Sequence, residues 1–322
     1  MTIDALNQIE KQRGDPLAAD ELRQLQVRSD AKGLLRLTGH LCAVVVTGLG
    51  YGFARQHHAP LLLQALGALA LGFTLVTFFA SMHECVHRTA FMSRWLNDSV
   101  AWFAGLLSFY NSSFYRPYHG WHHRYTQLAG RDPELEDAKP TNALEYFVQL
   151  SGAPWWLGKL RTYAGLAAGK TRSYGFLNEE TAPRVVRSVR LQLLVYVGAL
   201  AASFWLGQPY FIVYWFIPVA LAQPLLRAIL LAEHMGCSES ADMLSNTRTT
   251  YTAWPVRFLM WEMPYHADHH RYPALPFFSL ARAHRGLAPH LKHIARHGYA
   301  SLNLSFLKNL RSQVGSVENG AP

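Results

Sequence analysis

Charge is scarce in this sequence: 16% of its 322 residues are Asp, Glu, Lys or Arg, against about 25% in soluble domains. Half of the residues are hydrophobic, yet the mean hydropathy is only +0.01, so apolar residues are gathered in some segments and missing from others. Cysteine is scarcer still. Cys42, Cys85 and Cys237 lie far apart and form no CxxC pair, which argues against a disulfide framework, a thiolate metal site or an iron–sulfur motif. A Gly-rich dinucleotide fingerprint is also missing, so redox chemistry here would draw its electrons from a separate carrier. The first 33 residues, with Asp4, Glu10, Lys11, Arg13, Asp15, Asp20 and Glu21, lack the apolar core of a secretion signal, and membrane insertion is expected from retained spans. Acidic residues are outnumbered by basic ones, 21 to 30, for a net charge of +9. That excess fits either nucleic acid or a basic face against anionic lipid, and the placement of the charges decides.

What the chain does have is long apolar runs. Residues 60 to 82 carry no charge over 23 positions, enough as a helix rising about 1.5 Å per residue to cross about 30 Å of hydrocarbon. Leu37 to Phe53 is nearly as apolar, and only ARQHHA separates the two, so together they read as a transmembrane hairpin. Leu191 to Leu206 and Tyr210 to Ala232 repeat the plan around Gly207-Gln208-Pro209. Four spans bring both termini to one side. With both hairpin turns outside, Arg55 is the external basic residue and nearly all other Lys and Arg are inside, which explains the net charge without nucleic acid and puts the termini in the cytoplasm. Pro218 and Pro224 should kink the last span, and Arg227 must face protein or water. Val100 to Tyr110 is too short to cross, and LEYFVQLSGAPWWLGKL around Trp155 and Trp156 has an interfacial mixture of aromatic residues and Lys. The expected fold is an all-α integral membrane protein, with residues 1–33 a cytosolic segment, 34–322 one domain, and the tail SVENGAP loose.

Sixteen histidines are many for this length, and eight of them fall in three clusters. His83 and His87 form HxxxH just after the 60–82 run, while His119, His122 and His123 form HxxHH, as do His266, His269 and His270. On a helix, residues i, i+3 and i+4 share a face, so each cluster can aim its imidazoles at one point. A ninth, His234, ends the last span at the same depth. Nine nitrogens exceed what one zinc accepts but suit two iron ions with positions left for O2 and water. The lone histidines His40, His57, His58, His284, His290, His293 and His297 read as packing or interfacial residues.

HECVH (83–87), HGWHHRYT (119–126) and HADHHRYP (266–273) resemble the three histidine boxes of the membrane fatty acid desaturase and hydroxylase superfamily, which includes carotenoid ketolases and hydroxylases; the resemblance runs from about 60 to 300. It implies a cap of cytosolic helices holding a histidine-ligated di-iron centre under four spans, with His234 placed like the family's additional ligand. DPELE (132–136), NTRTT (246–250) and MPYHADHHRYPALPF (263–277) look more like the bacterial desaturase and carotenoid-oxygenating branches than the acyl-CoA desaturases, which points to a bacterial inner membrane. The expected substrate is a fatty acid or lipid acyl chain, with O2 as oxidant and a ferredoxin, cytochrome b5 or similar carrier docking near Arg271, Arg282, Arg285, Lys292 and Arg296. Ligand imidazoles usually donate their second N–H to a carboxylate or carbonyl, so Glu84, Asp132, Glu134, Glu233, Glu262 and Asp268 are supporting candidates, Asp268 foremost. Hydroxylation or ketolation is the alternative within the superfamily. HECVH also matches the HExxH of zinc proteases, with His83 and His87 as ligands and Glu84 as base, but that reading leaves both HxxHH clusters unused. A metal transporter would place its ligands within the spans.

Overall fold

The structure is a computed structural model that describes residues 15–136 and 139–318. Its helices are, in chain order, α1 (Ala19–Leu25), α2 (Asp30–Gln56), α3 (Leu61–Val76), α4 (Phe78–Val86), α5 (Arg94–Ser108), α6 (Ser112–Tyr125), α7 (Ala143–Leu150), α8 (Ala153–Ala167), α9 (Thr181–Trp205), α10 (Ile217–His234), α11 (Trp254–Leu259), α12 (His266–Arg271), α13 (Phe277–Leu287) and α14 (Gly298–Glu318). Among the described residues the sheet content is one parallel pair of two-residue strands, β1 (Thr249–Thr250) and β2 (Ile294–Ala295). The fold is therefore all-helical, as long uncharged runs that must satisfy their own backbone in lipid require.

Four segments are long and apolar enough to cross a bilayer: Asp30–Gln56, Leu61–Val86, Thr181–Trp205 and Ile212–His234. They coincide with the four runs read from the sequence and extend them, mostly at the ends opposite the two predicted turns. Charged helix formers such as Arg184, Arg187 and Arg190 continue α9 beyond its apolar part, because helix propensity does not stop where lipid does. The last span opens with a π-helical turn, Ile212–Phe216, and continues through Pro224 inside α10.

The chain divides into two compact units. One contains Asp30–Tyr118 and Leu150–Arg227, and thus most of the spanning residues. Small residues let its helices approach closely, as packing inside lipid demands. A Cβ built on Gly72 of α3 would lie 1.9 Å from the Pro218 carbonyl oxygen, and one on Gly67 would lie 3.2 Å from Tyr51 Cα of α2. Gln192 of α9 is a buried polar group paired across helices: it accepts from Asn111 (2.8 Å) and Tyr163 (3.0 Å) and donates to the Tyr110 carbonyl (3.0 Å). Outward faces are apolar, with Leu194, Val197, Phe204 and Trp205 exposed.

The short Val100–Tyr110 run lies on α5, whose 15 residues make it about 22 Å long, too short to span. It stops where Phe109 adopts a left-handed conformation and Tyr110 N–H bonds the Gly105 carbonyl (2.7 Å). The expected interfacial segment around Trp155 is made of two helices. Gly152, at φ +76°, breaks it between α7 and α8.

The other unit comprises the described residues of Met1–Ser29, His119–Gln149 and Ala228–Pro322. Its apolar core joins Leu17 and Leu25 to Tyr272, Leu275, Leu280, Ala283 and Leu287. Gly286 makes this possible, since a Cβ there would lie 2.5 Å from a Leu17 methyl. The segment set apart in the sequence as 1–33 is thus folded onto α13 from Asp15 to Leu25; residues 1–14 lie outside the described residues, as does the end of the tail beyond 318. α12, with only six residues, is too short to hold itself together as a helix. Burial holds it: His266, Ala267, Asp268, His269 and His270 are all enclosed.

Candidate metal centre

Seven of the nine predicted ligands belong to this second unit: His119, His122 and His123 on α6, His234 at the end of α10, and His266, His269 and His270 on α12. The two HxxHH clusters face each other, but neither aims all of its imidazoles at one point: His119 and His123 join a different group from His122, and His269 a different group from His270. Their imidazoles sort into two groups, each drawing on both clusters.

The first group is His119, His123 and His269, whose ligand atoms lie within 4.8 Å of one another. His123 Nε2 is 2.9 Å from His119 Nε2 and 3.1 Å from His269 Nε2. An imidazole nitrogen has one in-plane site, a proton or a lone pair, and cannot serve two partners in line at once. Spacings near 3 Å are instead what neighbouring ligands at about 2.1 Å from a shared metal ion produce.

The second group is His122, His234 and His270, again within 4.8 Å, and here the tautomers can be deduced. His122 Nδ1 meets the Asp132 carboxylate at 2.9 Å, and His234 Nδ1 meets the Asn246 carbonyl oxygen at 3.3 Å. His270 Nδ1 lies 3.3 Å from Thr126 Oγ1, whose own proton goes to the His122 carbonyl (2.7 Å). All three partners can only accept, so each ring carries its proton on Nδ1 and turns a lone pair inward on Nε2. His270 Nε2 is buried with no hydrogen-bond partner, and His266 Nε2 sits 3.0 Å from His234 Nε2. His266 can donate to His234 there, whereas the inward lone pairs of His122 and His270 are buried without a donor, which is costly. A metal cation would take up those lone pairs, and an imidazole-rich donor set suits a transition metal.

The surrounding carboxylates tune the pocket. Burial works against a charge on His122, but Glu134, 3.6 Å away, and the hydrogen-bonded Asp132 outweigh it and raise the pKa above the usual histidine value. Burial likewise opposes the charge on Asp132, yet His122 and the backbone N–H groups of Glu134 and Gln127 lower its pKa. His270 is pushed the other way, well below the ordinary range, by burial and then by the neighbouring His123, His266, His122 and His234. An imidazole that resists protonation keeps its lone pair for a metal at neutral pH.

The supporting residues read from the sequence are placed as follows. Asp132 holds His122, and Glu233 lies 3.6 Å from His266. Glu134 approaches both His119 (4.0 Å) and His122 (3.6 Å), within ligand range of the two. Asp268, the foremost candidate, is fully buried but engages His284 (3.0 Å) and Thr249 (2.8 Å) instead of a clustered histidine. Glu262 pairs with Arg257 at 3.3 Å. Thr126, Asn246 and Gln127 were not foreseen; Thr126 sits four residues after His122 on the same face, a signal in plain view, whereas Asn246 reaches His234 only through the tertiary fold.

His83 and His87 belong to the other unit. They stand one helical turn apart at the end of α4, with ring centres 5.1 Å apart and His83 buried beside Phe79 and Tyr115. Glu84, which a zinc protease would need as a water-activating base, is fully buried and accepts the Thr89 hydroxyl at 2.6 Å. That arrangement offers a peptide substrate no reachable base.

Comparison with known proteins completes the picture. The family model described as "Fatty acid desaturase" matches residues 60–301, three-quarters of the chain and every clustered histidine. The chain belongs to the fatty acid desaturase family. It is similar to a protein of Arthrospira platensis named sn-1 oleoyl-lipid 12-desaturase, 27% identical over 265 residues, covering 74% of this chain and 71% of the relative. Proteins of the same name from Picosynechococcus sp. (26% identical, 67% of this chain and 66% of the relative) and Anabaena variabilis (23%, 78% and 75%) also match. This family member is thus an oxidoreductase and, with four apolar helices, an integral membrane protein. Its histidine-rich cluster is compatible with the metal that desaturation calls for.

Proposed function

We propose that this protein is a di-iron desaturase that introduces a double bond into an acyl chain carried on a membrane lipid, using O2 and two electrons from a separate carrier. The observation that carries the reading is the set of three Nε2 lone pairs turned inward by Asp132, Asn246 and Thr126. One iron would be held at His119, His123 and His269 and the other at His122, His234 and His270 with His266; the three-box pattern of the family adds His83 and His87. Two irons in a histidine-rich, oxygen-poor site supply an oxidant able to take hydrogen from an unactivated methylene.

The chain's own residues do the rest. Asp132 and the Asn246 carbonyl fix ring orientation, so the inward nitrogens need no rearrangement when metal binds. Thr126 ties α6 to α12 by donating to His122 and accepting from His270. Burial excludes bulk water, which would otherwise quench a strong oxidant. The lipid-linked substrate class follows from the activity named for the relatives; at 23–27% identity only the class is carried over, not the position along the chain.

Two transmembrane hairpins with both termini and the histidines on the cytoplasmic side complete the proposal, supported by the positive-inside bias. The basic residues Arg271, Arg282, Arg285, Lys292 and Arg296 would then meet a small acidic electron carrier, and residues 34–322 would form the desaturase domain behind the cytosolic segment 1–33. Expression in a host of defined lipid composition tests the reading directly. Acyl products lighter by one hydrogen pair, with two irons per purified chain, are expected; products gaining an oxygen atom, or a single zinc, would overturn it.

A further inference from the structure

Two glutamines are fully buried in the spanning helices, and they are treated differently. Gln192 has both amide atoms bonded, as described above. Gln223 of α10 is equally enclosed, yet neither its Oε1 nor its Nε2 has a hydrogen-bond partner among the described residues. An amide left this way is costly, and surrounding hydrocarbon cannot compensate it. Such a group persists when something absent from the protein itself satisfies it.

One helical turn later the same helix carries Arg227. Its Nη2 donates to the Tyr110 hydroxyl (2.7 Å), its guanidinium lies 5.2 Å from the Trp155 ring centre, and its Nε is buried without an acceptor. No carboxylate meets Arg227 among the described residues. Lys159 of α8 adds a second cation, 3.9 Å from the centre of the Tyr110 ring, and Trp155 Nε1 donates to the same hydroxyl (3.1 Å). Gln223 runs alongside Gly152, where a built Cβ would lie 3.0 Å from Gln223 Cβ. Gly152 is the N-cap of α8, whose Ala153 N–H goes to Ser151 Oγ (3.2 Å) and whose Pro154 has no N–H, so what that 15-residue helix adds beside Gln223 is the partial positive charge of its N-terminus.

We propose that Gln223 and Arg227, with the start of α8, bind the anionic oxygen group, phosphodiester or carboxylate, at the polar end of an acyl-bearing lipid. Guanidinium planes recognise such groups with two parallel hydrogen bonds, and a ligand reaching an arginine inside a span must bring an apolar body with it. That the ligand is the substrate rests on the desaturase reading; the binding itself does not.

The test uses the purified, iron-loaded full chain in detergent and native mass spectrometry with three probes: dioleoylphosphatidylglycerol, oleate and neutral dioleoylglycerol. At least one anionic probe should bind about tenfold or more tightly than dioleoylglycerol, the gain expected of a charge-assisted pair, and comparison of the two identifies the group as phosphate or carboxylate. Arg227→Gln should abolish that preference and leave dioleoylglycerol binding unchanged, while Arg227→Lys should retain only part of it, since the charge is kept but the two parallel hydrogen bonds are lost. Gln223→Leu should weaken the anionic probe several-fold without loss of iron. Unchanged anionic binding in an iron-replete Arg227→Gln protein, or equal weakening of all three probes, would overturn the proposal. Should Arg227→Gln fail to fold, Gln223→Leu decides alone by the same criteria. A wild-type protein that binds the anionic probe yet makes no unsaturated product would count against the desaturase reading and leave this site standing.

Discussion

The two units of this chain solve opposite problems. The unit with most of the spanning residues exposes Leu194, Phe204 and Trp205 and pairs buried polar groups such as Asn111 with Gln192. The unit with most of the histidines does the reverse, enclosing His266, His269 and His270 on a six-residue helix. An apolar surface costs nothing in hydrocarbon, so the first unit is limited by how closely its backbones can approach. Buried imidazoles cost a great deal unless paired or metallated, so the second is limited by the orientation of its nitrogens. The same kind of mutation should therefore have very different consequences in each.

The largest contrast is expected for His270→Ala, which removes a buried nitrogen from the inward set. Iron content should fall by about half or more and turnover to background, read by metal analysis and product yield, because removing one partner strands the others. An active, iron-replete His270→Ala would erase the distinction between the units. Asp132→Asn keeps the shape but can offer His122 an amide in place of a carboxylate; iron affinity should drop about 10–100-fold, measured by competition with a chelator.

In the spanning unit the equivalent weak point carries no polar group at all. Gly72→Ala forces a methyl against the Pro218 carbonyl and should lower stability by about 1–3 kcal/mol, seen as a lower Tm in detergent. A smaller effect is expected from pH on the iron-free chain. Asp132, with a lowered pKa, contributes stability above about pH 4 that is lost as acid protonates it, and His122, with a raised pKa, contributes below about pH 6.5 and loses it as alkali deprotonates it. Their pair is strongest between those limits, so the Tm of the apo protein should peak there and Asp132→Asn should flatten the peak. Least of all, Leu194→Ala on the outer face of α9 should change Tm by no more than the equivalent of about 0.5 kcal/mol.

Much of this was legible in the chain before any coordinates. Uncharged runs of sufficient length allow one conformation in lipid, since only a helix satisfies its own backbone, and all four spans were located that way. The i, i+3, i+4 spacing of His119, His122 and His123 fixes which imidazoles share a helix face. Other features needed contacts between distant residues. Asp268 lies within the HADHH motif and looked the natural partner for its histidines, but its helix turns it toward His284 and Thr249. Asn246 supports His234 from a loop with no periodicity to betray it, and Leu17 belongs to a core whose members from Tyr272 to Leu287 lie more than 250 residues further along.

The sequence by itself determined the class of structure and the inventory of ligands, because both depend on local periodicity and residue type. Which nitrogen of each histidine faces inward, which carboxylate serves which ring, and which buried glutamine is left without a partner were decided by the tertiary structure alone. Those are questions of distance between residues far apart in the chain, and hydrogen bonds form or fail over a few tenths of an ångström that no spacing along the backbone encodes.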